Sequence, residues 1–187
     1  MKKLSIVFIV LCNLNFVNAQ DTSKTVFDVS KLKIMADAHL SISTLKESEA
    51  GISYRLAAYG LYPISKNGLL NVVGGLSYSV KSAQYEDWLG YYHVKGSYFS
   101  TVIGLHVQPG RSFALYGHAR PSILLSQNNP KLLRAFNIDG AVGVMIIPPI
   151  HDDRFIFSLE LTRNFIKEKD NLGNWSQVNI GATYQLF

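Results

Sequence analysis

The sequence has few residues that could form disulfides or carry charge. Its only cysteine is Cys12, so the chain beyond the first 19 residues has no cysteine and cannot form a disulfide. Charged residues make up 17% of the chain and hydrophobic residues 48%, a low charge content for a soluble domain. The net charge of +5 comes without any basic run or basic-aromatic motif. Nucleic acid is therefore not expected as a partner.

Beyond the first 19 residues, the sequence also lacks a long apolar run. No segment there approaches the roughly 20 consecutive apolar residues of a membrane helix. If the chain lies in a membrane, it must cross as a closed β-barrel, because every backbone polar group in hydrocarbon needs a partner within the protein.

The first 19 residues have the pattern of a secretory signal peptide. Lys2 and Lys3 precede a short apolar stretch over 4–11, and Val17 and Ala19 occupy the −3 and −1 positions of a cut before Gln20. An alternative is a lipoprotein signal lipidated at Cys12. It is disfavoured because the bulky Leu11 stands where that site takes a small residue. We expect export with cleavage after residue 19.

Eight later segments alternate between apolar and polar residues with a period of two, which indicates strands with one apolar face. Each is long enough for the roughly 9–11 residues of a tilted membrane strand. The segments are 33–44, 51–62, 69–81, 98–108, 113–126, 136–147, 155–164 and 175–187. They predict an all-β fold: an eight-stranded antiparallel up-and-down transmembrane β-barrel over 33–187, preceded by an N-terminal periplasmic segment over 20–32.

The connections between these segments alternate in character. Three are compact and contain proline, at 63–68, 109–112 and 148–154; the others, at 45–50, 82–95, 127–135 and 165–174, are more polar and mostly longer. Short turns on one rim and longer loops on the other are typical of outer-membrane barrels. Aromatic residues near the segment ends predict two interfacial girdles: Tyr62, Phe113, Phe155 and Tyr184 on the periplasmic side, and Tyr78, Phe99, Phe136 and Trp175 on the outer side.

The polar faces predict a filled interior, because an eight-stranded barrel has room only for side chains. We expect a luminal network of Asp37, His39, Arg55, His118, Arg120, Asp139 and Glu160, in which the three carboxylates neutralise Arg55, Arg120 and His118. Gly75, Gly104, Gly143 and Gly181 share this face, which suits a narrow lumen. The turns place Gly104 beside His118 and Gly143 beside Glu160. Pro121 within a segment predicts a nearby β-bulge.

A soluble β-barrel or sandwich would alternate in the same way, with its apolar face packed inward. The mixed signs of the mid-strand charges and the glycines on the polar face favour the membrane interpretation. A secreted barrel that binds an apolar ligand stays as an alternative.

Three elements carry a resemblance to a known family: the signal ending VNAQ, the Ala119–Arg120–Pro121 element and the C-terminal GATYQLF. With them, the pattern resembles the PorT-like, OmpA-like outer membrane β-barrel family of Bacteroidetes-type Gram-negative bacteria. The resemblance implies a barrel fold and an outer-membrane location, and it implies no activity. Phe187 is similar to the terminal residue of the outer-membrane insertion signal, although Gln185 departs from the Tyr or apolar residue usual at its position.

Candidate chemistry is sparse. His39 and Ser41 resemble the His-x-Ser of outer-membrane lipid A deacylases, but they lie on the luminal parity, where a structural hydrogen-bond pair is expected. His39, His106 and His118 lack the spacing of metal ligands, and His151, Asp152 and Asp153 form a polar turn. No catalytic residue, metal or cofactor is expected. The outer-loop aromatics Tyr85, Trp88, Tyr91 and Tyr92 either bind a partner or rest among lipid headgroups.

The sequence thus predicts a small, non-enzymatic outer membrane protein with a structural or surface-interaction role. Its expected partners are outer membrane lipid and an unidentified protein or glycan at the outer loops. A lipid-modifying enzyme of the same membrane is the other alternative.

Overall fold

The computed structural model describes residues 28–45, 48–87, 90–128, 132–148, 154–169 and 173–186, with the backbone alone over 85–87 and 90–92. The expected signal peptide, residues 20–27 and Phe187 lie outside these ranges. A short 3-10 helix, Val29–Lys31, is followed by eight strands: β1 (Lys33–Thr44), β2 (Glu49–Pro63), β3 (Leu70–Asp87), β4 (Gly90–Val107), β5 (Phe113–Gln127), β6 (Phe136–Ile146), β7 (Phe155–Asn164) and β8 (Ser176–Gln185). Within the described ranges, no helix has the length and apolar character needed to cross a membrane.

The strands form one closed barrel. Each pairs antiparallel with the next in the chain, and β1 closes the cylinder by pairing with β8, from Met35 opposite Gln185 to Thr44 opposite Ser176. Closure leaves no free sheet edge within the cylinder, as a barrel in hydrocarbon requires. The predicted eight-stranded antiparallel up-and-down transmembrane β-barrel fold is confirmed.

The apolar faces of the strands point away from the barrel axis. Along β7, exposed and buried residues alternate from end to end; Leu159 and Leu161 are 47% and 57% exposed, whereas Glu160 between them is fully buried. The other strands contribute further exposed apolar residues, among them Leu40, Ile42, Ile52, Leu56, Ile103, Leu115, Val142, Val178 and Ile180. A soluble barrel buries such residues to gain their transfer free energy. This arrangement is therefore the reverse of a soluble core.

Inside the barrel, glycines lie beside rings and long side chains. Gly104 is paired with His118 and Gly143 with Glu160, which confirms both predicted neighbours. A Cβ atom built on Gly104 would overlap the His118 ring, and one on Gly143 would lie 2.5 Å from Cζ of Tyr116. The glycines thus make the space that the large luminal side chains occupy.

The third and fourth strands are longer than the sequence analysis predicted. Residues 82–95 were expected to form a loop, but β3 and β4 continue in register from Ser82 opposite Lys95 to Asp87 opposite Gly90. Ala83 and Val94 explain the extension, because both are fully buried and pack in a cluster with Trp175. The two strands therefore project as a paired ribbon.

The bulge lies a few residues beyond its expected position. Pro121 stays opposite Ile138 on β6, and the β4–β5 register is the same on both sides of it. The register slips instead between Ser97 and Tyr98, opposite Leu124 and Ser126. Pro121 removes one N–H from β5, but the pairing of β5 with β4 and β6 continues past it without a register shift.

Candidate functional site

The barrel has two ends, named here for the connections they carry. Among the described residues, the lower rim carries 64–69, 108–112, 147–148 and 154. The upper rim carries 45, 48, the ends of β3 and β4 at Asp87 and Gly90, 128, 132–135, 165–169 and 173–175. Between them, the luminal side chains form a stack of layers.

Glu160 on β7 is the centre of the middle layer. Arg55 Nη1 donates to its Oε1 at 2.5 Å, and Arg120 donates from Nη1 to Oε1 at 2.9 Å and from Nη2 to Oε2. The Tyr116 hydroxyl adds a hydrogen bond to Oε2 at 3.1 Å. A carboxylate held between two guanidinium groups satisfies the requirement that a buried charge be paired and hydrogen-bonded.

Asp37 and His39 on β1 extend this layer. Asp37 Oδ2 lies 3.4 Å from both Arg55 Nη2 and His39 Nε2. His39 Nε2 is also 3.1 Å from the Ser158 hydroxyl. Ser41, the other half of the His-x-Ser pair, is 5% exposed inside the lumen. Among the residues that the structure describes, His39 bonds Ser158 rather than Ser41.

His118 and His106 form a stacked pair next to Arg120. Their ring centroids are 5.0 Å apart and their Nε2 atoms 2.9 Å apart, while His118 Nδ1 lies 3.2 Å from Arg120 Nη2. Tyr59 and Tyr116 pack against the two imidazoles. In the described part of the chain, no group of three or more His, Cys, Asp or Glu side chains has the arrangement of a metal site.

Asp139 departs from the predicted network. Its two carboxylate oxygens each lie 2.7 Å from Nζ of Lys81, which is 1% exposed and also sits 4.8 Å from the Tyr98 ring centroid. Asp139 therefore neutralises Lys81, and the expectation that it would neutralise Arg55 or Arg120 was wrong. Lys81 was missed because it ends the predicted third segment, although its parity already placed it on the luminal face.

Below the ionic layer, the interior is apolar. A cluster of buried residues fills this part of the lumen: Met35, Tyr59, Leu61, Val73, Val102, Ala114, Tyr116, Met145 and Ile156. It forms the floor of a cavity of about 650 Å³ that reaches the lower rim, where Lys33, Arg111 and Arg154 line it. The inner faces were predicted to be mostly polar, so this layer was not expected.

Glu168 organises the upper rim. Its Oε1 accepts from Asn137 Nδ2 at 2.8 Å, Asn164 Nδ2 at 3.5 Å and Trp175 Nε1 at 3.1 Å, and its Oε2 accepts from the Arg134 backbone N–H at 2.7 Å. Burial raises the pKa of Glu168 above its usual range, because these neutral donors offset only part of the loss of solvation. The connections 128–135 and 165–175 are thereby joined through one carboxylate.

Trp175 is inside the barrel and not in the outer girdle where the sequence analysis placed it. It is 1% exposed and packs with Leu45, Ala83, Val94 and Leu133. Its odd position shares the luminal parity of Asn179 and Gly181, so the alternation itself was the signal that could have placed it. Six of the other expected girdle members are exposed by 37% or more: Phe113, Phe155, Tyr184, Tyr78, Phe99 and Phe136. Tyr62 is only half-buried.

A second cavity, of about 860 Å³, opens at the upper rim above Glu168. Four cationic side chains line it: Arg134, Arg163, Lys167 and Lys169. Between the two mouths, the void among Arg55, Arg120 and Asp139 measures only about 10 Å³, room for about one water molecule. The described interior therefore has two open ends separated by a filled middle.

Some candidate residues cannot be placed. The side chains of Tyr85, Tyr91 and Tyr92, and all of Trp88, lie outside the described residues, as do His151, Asp152 and Asp153. Tyr85 pairs with Tyr92 in the backbone register of β3 and β4.

No protein-family model matches the sequence, and no curated protein matches it. Solved structures do resemble it. One is Ail, the attachment invasion locus protein of Yersinia pestis, in complex with the heparin analogue sucrose octasulfate; it is 14% identical, with a TM-score of 0.50 over 83% of this chain and 97% of that one. Another structure of Ail gives a TM-score of 0.48 at 14% identity and the same coverage. A de novo designed transmembrane β-barrel gives 0.46 at 12% identity, over 82% of this chain and 95% of the design. The fold of this chain resembles outer membrane β-barrels.

Proposed function

We propose that this protein is a small, non-enzymatic outer membrane β-barrel of the PorT-like, OmpA-like kind, exported by its signal peptide, with a structural or surface-interaction role. The lower rim faces the periplasm and the upper rim faces the exterior. The upper rim carries the projecting β3–β4 ribbon and the cationic cavity, so the surface that meets other molecules lies there.

One observation carries the membrane assignment: continuous apolar rows cover the outside while charged residues fill the inside. Leu161 on β7 and Val178 on β8 are 57% and 50% exposed and lie opposite each other in the register, next to the fully buried Glu160. An apolar surface of this extent marks contact with a membrane or a partner. Because the apolar surface runs around the whole barrel, a bilayer is the environment that covers the outward face of every strand.

The geometry also supports a role without catalysis. His39 and Ser41 are 4% and 5% exposed, and they face a filled lumen from which a lipid substrate is excluded. The lumen supports no transport role either, because its middle has space for about one water molecule.

Cell fractionation and gel mobility test the proposal together. The full-length protein, expressed with its native signal, should sediment with outer membranes and require detergent for extraction. Its folded form should migrate differently from its boiled form. Protein that stays soluble without detergent would refute the membrane role and favour a secreted barrel. Hydrolysis of lipid A that is lost in Ser41→Ala would refute the non-enzymatic role.

A further inference from the structure

The cavity at the upper rim has the charge of an anion-binding site. Arg134, Arg163, Lys167 and Lys169 are all exposed, whereas the carboxylate that lines the same cavity, Glu168, is 3% exposed. Its two oxygens already accept four N–H hydrogen bonds from the protein. The described wall therefore presents clustered positive charge to an incoming group.

Hydrogen bonds hold the guanidinium of Arg134 and the backbone that carries Lys167 and Lys169. Arg134 Nε donates to the Lys167 carbonyl oxygen at 2.6 Å, and the Lys169 N–H donates to the Leu132 carbonyl oxygen at 3.1 Å. Together with Glu168, these bonds join the two connections that carry three of the four charges. Because the backbone beneath these cations is already ordered, an anion binds there at a lower entropic cost than on free loops.

Arg163 connects this cavity with the lipid-facing surface. It follows Leu159 and Leu161 in the outward row of β7, and Phe165, which is 68% exposed, comes after it. Arg163 also lines a shallow groove of about 520 Å³ on the outside of β5, β6 and β7. The walls of this groove are apolar and consist of Gly117, Ala119, Gly140, Val142, Leu161 and Phe165.

Because Arg163 lines both the cationic cavity and the apolar groove, the two together suit a ligand with an anionic headgroup and an apolar chain. We propose that this surface binds an anionic glycolipid of the outer leaflet, with its phosphate groups among Arg163, Lys167 and Lys169 and one acyl chain in the groove. The inference rests on the proposed membrane function. A lipid fits better than a free polyanion because Arg163 and the groove face hydrocarbon, where a soluble ligand has no access.

Native mass spectrometry of the detergent-solubilised, full-length mature protein tests the proposal. The probes are lipid A with two phosphates, phosphatidylcholine as a neutral lipid, and inositol hexakisphosphate as a soluble polyanion. We expect bound lipid A and little bound phosphatidylcholine. Inositol hexakisphosphate should compete weakly, because it lacks a chain for the groove.

A charge variant and a matched control locate the headgroup site. Arg163→Gln/Lys167→Gln/Lys169→Gln should weaken lipid A binding on the order of 100-fold, since each cation near a membrane surface contributes about a fivefold effect. The control, Lys33→Gln/Lys66→Gln/Arg111→Gln, removes the same charge from the lower rim and should leave binding within about twofold of the wild type.

A second pair of variants locates the acyl chain. A Cβ on Gly117 meets only the Ala141 carbonyl oxygen, at 3.9 Å, so Gly117→Leu attaches without a clash at its Cβ and extends into the groove that Gly117 lines. It should weaken lipid A binding about tenfold, while binding of the soluble polyanion stays unchanged. Gly74→Leu, at an outward position with nothing within 4 Å of its Cβ, is the control and should have no effect.

Equal weakening by the two charge variants would overturn the proposal. It would also be overturned if inositol hexakisphosphate bound as tightly as lipid A and Gly117→Leu changed neither, which would show an anion site without a lipid. Heat-modifiable mobility of the same samples separates these outcomes from failure of the membrane role: a folded, detergent-dependent barrel without lipid A preference refutes the lipid site alone.

Discussion

Arg55 Nη1 lies 2.5 Å from Glu160 Oε1, although the two residues are 105 positions apart and sit on β2 and β7. The contact spans the barrel interior, and both side chains are less than a tenth exposed. Such a pair is possible only because closure between β1 and β8 brings distant strands around one narrow lumen. It is the clearest sign that the polar faces converge.

Removal of the Glu160 charge should strongly destabilise the barrel. Glu160→Gln leaves Arg55 and Arg120 buried without their shared carboxylate, and breaking a buried ion pair in this way costs about 3–5 kcal/mol. Urea unfolding in lipid vesicles measures the change. Glu49→Gln, an exposed carboxylate at the start of β2, should change the unfolding free energy by less than about 0.5 kcal/mol. Equal effects of the two variants would contradict the buried network.

Lys81 and Asp139 should behave as a coupled pair. Asp139→Asn alone leaves the buried ammonium group without its carboxylate and should cost about 3–5 kcal/mol. Adding Lys81→Met removes that unpaired charge, so the double variant should be more stable than Asp139→Asn by about 0.5–3 kcal/mol. A double-mutant cycle in urea gives the coupling energy. Additive losses would show that Asp139 pairs elsewhere.

The period-two alternation was enough to predict the strand number, the closed fold and the Gly104–His118 pairing, because each depends on local phase and turn length. The partner of Asp139 could not be derived in the same way. Register places Asp139 opposite Arg120 on β5, yet its carboxylate bonds Lys81 on β3. Which side chains meet across the lumen depends on the tilt of the strands and on which neighbouring side chains are small. Neither can be derived from the sequence of one strand.

The upper rim shows where sequence patterns misled. Residues 82–95 contain enough polar residues to suggest a loop, but Ala83 and Val94 alternate inward and bury themselves against Trp175. The described part of this stretch is therefore a paired ribbon, in which polar residues do not mark a chain reversal. The apolar layer around Met35 and Met145 was missed for a related reason. Alternation predicts which residues point into the lumen, but it does not predict how polar each layer of the lumen is.

Luminal glycines should not tolerate a methyl group. In Gly181→Ala, the added Cβ would overlap the His39 ring, at 2.5 Å from Nε2, and overpacking of this kind costs about 1–3 kcal/mol. Gly74→Ala adds the same atom in open space on the outside and should not destabilise the barrel. Thermal gel-shift midpoints of the two variants give the comparison. An unchanged midpoint for Gly181→Ala would mean that the lumen is less filled than the structure indicates.

The upper rim should respond to pH through Glu168. Its pKa is raised by burial, so folding favours the protonated form. Stability of the rim is then greatest below the unfolded-state pKa of about 4.3 and falls as pH rises through the higher folded-state value. Trp175, which donates to this carboxylate, is the reporter; its fluorescence in a Trp88→Phe background should titrate with a midpoint above that of a free glutamate. Glu168→Gln should abolish the titration. A midpoint at or below the free value would contradict the assignment.

The most direct measurement of the central claim is photo-cross-linking of the folded protein in vesicles whose phospholipids carry a diazirine in the acyl chain. Mass spectrometry then locates the modified residues of β7, in which Leu159 and Leu161 face outward and Ser158 and Thr162 face the lumen. The account predicts cross-links at 159 and 161 and none at 158 and 162. Cross-links at 158 and 162 with none at 159 and 161 would contradict it.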